Sequence, residues 1–253
     1  MTNSGWMQHP LVSRLPGWVK HALIQVRGAA TAARYRRAHI GAGSYVDPSA
    51  QILGWANCRI GINSVIAEGT WIQINFPKDP SCNIAIGNHC FIGRRNFFSV
   101  GEGIVINDYV LCGPNCHFLG AGHKTDNPFL PYTAAGIENY GRIRIGVNCW
   151  LTSNVTITRG IDIGYGTIVG ANSRVAASLP PLCLAYGNPA AITQLFDAQS
   201  KAWKTLPKEN TDSAIAQHVA SLPTEAEYLR ILSTNAPQLF LSKHAAGRSA
   251  GEL

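Results

Sequence analysis

The stretch Gly120-Ala121-Gly122-His123-Lys124-Thr125-Asp126-Asn127-Pro128 puts a histidine and an aspartate three residues apart among small and turn-forming residues. An imidazole titrates near neutral pH, so His123 can take a proton from a hydroxyl or amine and hand one back to a leaving group. Asp126 would orient that imidazole or contact an acceptor, and it reads equally well as an exposed loop aspartate. His89 and His117 lie upstream, and with His123 they leave open a three-histidine zinc site. The seven cysteines form an odd set without a CxxC pair. They read as small buried apolar residues in a reducing compartment, not as disulfides, metal ligands or nucleophiles.

What must position His123 is a repeat of period six. Ile145, Leu151, Ile157, Ile163, Val169 and Val175 recur at that interval, mostly followed by Gly or another small residue. The same phase runs through Ile40, Val46 and Ile52, through Ile60, Ile66 and Ile72, through Ile86, Ile92 and Phe98, and through Ile106, Cys112 and Phe118. A strand has period two and an amphipathic helix about 3.6. Period six suits a short strand, a turn and another short strand, with one aliphatic side chain of each directed inward. Stacked turns then pair strand on strand, and no turn buries its apolar face without neighbours. The phase breaks after Phe118 and resumes at Ile143 to Ile145, and a loop of that length inside a compact repeat is usually either functional or disordered. His123 stands where the coil opens into it.

The flanks differ in texture. In 1–39, Leu11, Val12, Leu15, Trp18, Val19, Ala22, Leu23 and Val26 fall near helical spacing, and Arg27, Arg34, Arg36 and Arg37 follow. That segment is either an interfacial helix touching an anionic membrane or a helix docked on the repeat or a neighbouring subunit. Residues 196–253 contain short apolar patterns such as Ala226, Leu229, Ile231 and Leu232, expected as helices capping the coil or as a frayed tail, with Ala245 to Leu253 mobile. The net charge of +7 points to an anionic partner or simply to solubility. No stretch reaches the roughly 18 apolar residues of a membrane span, and no signal peptide is visible, so the expected compartment is the cytoplasm.

The repeats over 40–195, with the ending Leu179-Pro180-Pro181-Leu182-Cys183-Leu184-Ala185-Tyr186-Gly187-Asn188-Pro189-Ala190-Ala191-Ile192, resemble the hexapeptide-repeat acyltransferases. The resemblance implies an all-β fold, a left-handed parallel β-helix with three hexapeptides per turn and short flanking helices at both termini. It divides the chain into 1–39, 40–195 and 196–253. It implies transfer of an acetyl group from acetyl-CoA to a hydroxyl of a sugar, as in the maltose, galactoside and colanic-acid types, with His123 as general base.

In those enzymes the pantetheine arm runs between coils at positions matched by Trp150, Ser153, Gly170 and Ala171. Asp126 and Trp71 are the candidates for contacting the sugar. No metal is required. The implied partners are a free or carrier-linked sugar and two further copies of the chain in a homotrimer, not nucleic acid. Ala177, Ala191 and Gln194 stand where the resembling enzymes commonly carry basic residues, leaving Arg174 or residues outside the repeat for the CoA phosphates. The same fold also carries a zinc carbonic anhydrase, and a β-helix can serve as a non-catalytic scaffold, so those two readings stand as alternatives.

Overall fold

The computed structural model describes residues 39–207 and 209–235, together with Pro16, Trp18 and Val19. The remainder of the apolar stripe in 1–39, its basic run, and the tail from Ala245 lie outside the described residues. The chain divides into two units at the His39–Ile40 junction, and every element below belongs to the second.

That unit is a left-handed parallel β-helix, a three-sided prism with one short strand per side in each coil. The first coil is β1 (Tyr45–Val46), β2 (Gln51–Leu53) and β3 (Cys58–Ile60); the second is β4 (Val65–Ile66), β5 (Trp71–Ile74) and β6 (Asn83–Ile86). Next come β7 (Phe91–Ile92), β8 (Phe97–Val100) and β9 (Gly103–Ile106), then β10 (Leu111–Cys112) and β11 (His117–Leu119). A hairpin of β12 (Ala121–His123) and β13 (Ile137–Asn139) interrupts this coil before β14 (Ile143–Ile145) closes it. The last coils contain β15 (Trp150–Leu151), β16 (Thr156–Thr158), β17 (Asp162–Ile163), β18 (Ile168–Val169) and β19 (Arg174–Val175).

The first face stacks β1-β4-β7-β10-β15-β18, the second β2-β5-β8-β11-β16-β19, and the third β3-β6-β9-β14-β17. The first face continues into β20 (Cys183–Gly187) and then turns antiparallel through β21 (Ala190–Asp197) and β22 (Ala202–Thr205).

Residues six apart step from face to face, and those one coil apart stack as inward ladders. On the second face Ile52, Ile72, Phe98, Phe118, Ile157 and Val175 sit in register and buried, and on the third Ile60, Ile86, Ile106, Ile145 and Ile163 do the same. Each fully buried Ile or Leu contributes about 1.5–3 kcal/mol. The corners follow a second rule. Ser64 Oγ donates to the Gly87 carbonyl (2.8 Å), Thr70 Oγ1 to Gly93 (3.1 Å), Asn96 Nδ2 to Gly113 (3.1 Å) and Thr167 Oγ1 to Pro180 (2.8 Å). Cys90, Cys116 and Cys149 occupy equivalent corners, their thiols 3.0 Å from the carbonyls of Asn107, Thr152 and Gly164. Small buried donors thus tie each coil to the next where strand pairing lapses. Asn63, Asn115, Asn148, Asn154 and Asn172 take positive φ in the turns, a conformation asparagine tolerates.

Two helices, α1 (Thr211–Ser221) and α2 (Glu225–Asn235), pack beside the prism as well as near its end. Leu222, Tyr228, Leu229 and Leu232 cover Val147, Tyr165 and Leu182 along the third–first edge, while Ile215 of α1 reaches the main core. Glu225 anchors α2. Its carboxylate accepts from the Val147 N–H (2.8 Å) and Asn107 Nδ2 (2.9 Å) and pairs with the Arg144 guanidinium. Burial pushes this carboxyl up, but the Val147 and Asn107 hydrogen bonds and Arg144 outweigh it and hold the group below the ordinary 4.5. Its contribution is therefore full above pH 4.5 and fades as pH falls through the lowered folded-state value. Glu225→Ala should cost about 1–3 kcal/mol. Hydrogen exchange across 225–235 should accelerate in that variant at neutral pH, and in the wild type only on acidification; equal protection in both would contradict this anchoring.

Candidate functional site

The excursion after Phe118 is a two-stranded hairpin rising from the edge between the second and third faces. β12 and β13 pair antiparallel, with Ala121 opposite Asn139, Gly122 opposite Glu138 and His123 opposite Ile137. Its root is tied to the prism: Gly120 N–H donates to the Ser99 carbonyl (2.9 Å), Tyr140 N–H to Gly120 (2.9 Å), and Ser99 Oγ to the Ala121 carbonyl (3.0 Å). His123 is therefore the last paired residue before the exposed loop 124–136, on a strand and not on the loop itself. Its side chain is solvent-exposed, and neither it nor Asp126 has a side-chain hydrogen bond or ion pair among the described residues. Asp126 sits in the loop, where neighbouring Asn127 Oδ1 accepts from the Phe129 N–H (3.0 Å). The loop also displays Phe129 at 96% exposure and Tyr132 at 51%.

The four residues matched to the pantetheine arm come together elsewhere. Trp150 projects outward from the first face, 45% exposed, between Leu111 and Ile168. Ser153 lies in the turn after β15 at the first–second edge, and Gly170 and Ala171 occupy the same edge one coil on, where Asn172 N–H donates to the Ser153 carbonyl (3.0 Å). A Cβ on Gly170 would stand 2.7 Å from Tyr186 Cβ, so this edge admits no side chain there. Tyr186, 55% exposed at that edge, has no signal in the sequence beyond its place in the terminal signature. Arg174 follows on the second face, its Nε donating to Asn188 Oδ1 (2.8 Å).

Trp71 lies on the outer second face, 44% exposed and 5.1 Å from the Phe97 ring, with His117 edge-on to Phe97 at 6.4 Å. Within one chain, then, His123 and the Ser153–Gly170–Ala171 cluster occupy opposite edges of the second face.

The three histidines do not converge. His89 is at a third–first corner stacked on Tyr109 (4.9 Å), His117 is on the second face, and His123 is on the hairpin. Among the described residues no group of three His, Cys, Asp or Glu is placed to hold a metal ion. Burial pushes the Cys58, Cys90 and Cys149 thiols up to about 12 and Cys183 to about 11, so these sulfurs stay protonated and weakly nucleophilic. No described helix is long and apolar enough to cross a membrane.

A family model described as the hexapeptide repeat of succinyl-transferase matches residues 142–177. A Staphylococcus aureus (strain COL) protein named as an acetyltransferase is 35% identical over 126 residues, 50% of this chain and 62% of its own length. The chain thus spans less than two thirds of that relative. WcaF of Escherichia coli (strain K12), named as a colanic acid biosynthesis acetyltransferase, is 31% identical over 135 residues, 53% of this chain and 67% of its own. The chain belongs to the hexapeptide-repeat acyltransferases. Among solved structures, AntD, an N-acyltransferase from Bacillus cereus in complex with dTDP and 3-hydroxybutyryl-CoA, superposes with a TM-score of 0.53 at 20% identity, covering 78% of this chain and 92% of that one. At that identity the likeness concerns the fold. The shared fold spans most of the chain, whereas the family model matches only residues 142–177.

Proposed function

We propose that this protein transfers an acetyl group from acetyl-CoA to a hydroxyl of a saccharide, with His123 as general base. The observation that carries the reading is the hairpin, which holds an exposed histidine whose side chain has no partner among the described residues at the edge of the prism, in a chain whose relatives are named as acetyltransferases. The imidazole takes the proton of the acceptor hydroxyl as its oxygen attacks the thioester carbonyl. The tetrahedral oxyanion, stabilised by backbone N–H groups at the coil edge, collapses with loss of the CoA thiolate, which recovers the proton from the imidazolium. No enzyme nucleophile takes part, in keeping with seven cysteines that are all buried.

The pantetheine arm lies along the first–second edge against Ser153, Gly170 and Ala171, beside Trp150. Arg174, steadied by Asn188, supplies a cation for the CoA phosphates. Asp126 and Trp71 contact the acceptor. Because the base and this edge fall on opposite sides of the second face, the complete site requires a second copy, and a homotrimer supplies one at every interface. A cytoplasmic location follows from the donor.

Saturating acetyl-CoA should raise the melting temperature, a hundredfold excess over Kd being worth about 2.7 kcal/mol. A screen of sugars and glycan carriers should then show acceptor-dependent release of CoA thiol. Absence of both the shift and any acceptor-dependent release would overturn the reading.

A further inference from the structure

The hairpin bearing His123 has two sides. Cross-strand partners share a side, so Ala121, His123, Ile137 and Asn139 project one way while Gly122 and Glu138 project the other. On that back side the Tyr140 ring rests directly on the backbone. A Cβ built on Gly122 would fall 2.3 Å from Tyr140 Oη, 2.9 Å from Cζ and 3.0 Å from Cε2. Glycine at 122 is thus the residue that lets a phenol ring press against the strand one position before His123.

Tyr140 is itself fixed at three points. Its N–H donates to Gly120 (2.9 Å), its carbonyl accepts from Gly160 N–H (2.6 Å), and its ring lies 5.8 Å from Arg159 Cζ, in the range of a cation–π contact. The opposite side of the root is held by Asn75 Nδ2, which donates to Ser99 Oγ (3.1 Å), and by Ser99 Oγ, which donates to the Ala121 carbonyl. The exposed loop beyond gives His123 no comparable support.

We propose that Tyr140, braced by Arg159, is a positioning residue for His123, setting the height and tilt of β12 from behind. This rests on His123 being the base. A general base works only within hydrogen-bond reach of the proton it takes, and a displacement near 1 Å can cost about 100-fold in rate. Removing the ring should let the two-stranded hairpin sag about its glycine root while the prism beneath keeps its packing.

The test is steady-state acetyl transfer by Tyr140→Ala, Tyr140→Phe and Gly122→Ala, with Tyr140→Ala also made in the His123→Ala background. Tyr140→Ala should lower kcat about 10- to 100-fold with KM for acetyl-CoA held within about twofold. Tyr140→Phe keeps the ring and should restore most of the rate. Gly122→Ala, which drives strand and ring apart without touching either side chain, should reproduce the kcat loss if Tyr140→Ala proves too poorly folded to assay. In the His123→Ala background Tyr140→Ala should cost nothing further, since no base remains to be positioned. Wild-type turnover in both Tyr140→Ala and Gly122→Ala would overturn the proposal, as would an undiminished loss in the His123→Ala background. Failure of the base assignment has a separate readout, wild-type turnover in His123→Ala alone.

Discussion

Replacing His123 with alanine is expected to lower acetyl transfer by about 10²- to 10⁴-fold while leaving the melting temperature unchanged. The two halves of that expectation have different sources. The rate loss follows from removing the proposed general base, because the hydroxyl of the proposed sugar acceptor is too weak an acid to attack a thioester unaided. The unchanged stability follows from placement. The side chain is exposed, makes no hydrogen bond among the described residues, and belongs to a hairpin outside the inward ladders. KM for acetyl-CoA should change little, since the residues assigned to the pantetheine arm lie on another edge. Parallel measurement of kcat, KM and thermal unfolding checks all three.

The second large effect concerns the scaffold. Phe118→Ala should destabilise the protein by about 3–5 kcal/mol, read by chemical or thermal unfolding. Phe118 is fully buried, its ring stacked on Phe98 at 4.3 Å with 10° between the planes. The strand containing it pairs on both sides, with Phe98 below and Ile157 above, so the coils cannot close over the lost volume without breaking register. Its loss should also loosen the hairpin root, which begins two residues later. A change below about 1 kcal/mol would mean the prism repacks more freely than its ladders suggest.

The prism was largely legible from the spacing of its aliphatic residues. Ile145, Leu151, Ile157, Ile163, Val169 and Val175 follow one another around the faces, because a six-residue step advances the chain by one side. The interruption around His123 was legible as a loss of that phase. Its form was not, since Gly120-Ala121-Gly122 lacks the alternation that marks a strand, and β12 forms because Ile137–Asn139 returns to pair with it. The docking of α2 was equally hidden. It depends on Glu225 meeting Arg144 and the Val147 N–H, groups 81 and 78 residues away, which no local pattern records. Tyr140 carried no signal either, as its role depends on the missing Cβ of a residue 18 positions earlier (140 − 122). Trp150, Ser153, Gly170 and Ala171, by contrast, fall on adjacent coils through the repeat itself.

The central claim is that acetyl transfer uses His123 of one subunit with the first–second edge of another, and mixing two inactive variants tests it most directly. His123→Ala lacks the base, and Ala171→Trp fills the pantetheine edge. Each should fold with a near wild-type melting temperature and fail to transfer acetyl groups. Co-expressed in equal amounts, they should recover about a quarter of wild-type activity, because random assembly pairs an intact histidine with an intact edge at that fraction of interfaces. No recovery from well-folded mixed assemblies would contradict the account and place both halves of the site on one chain.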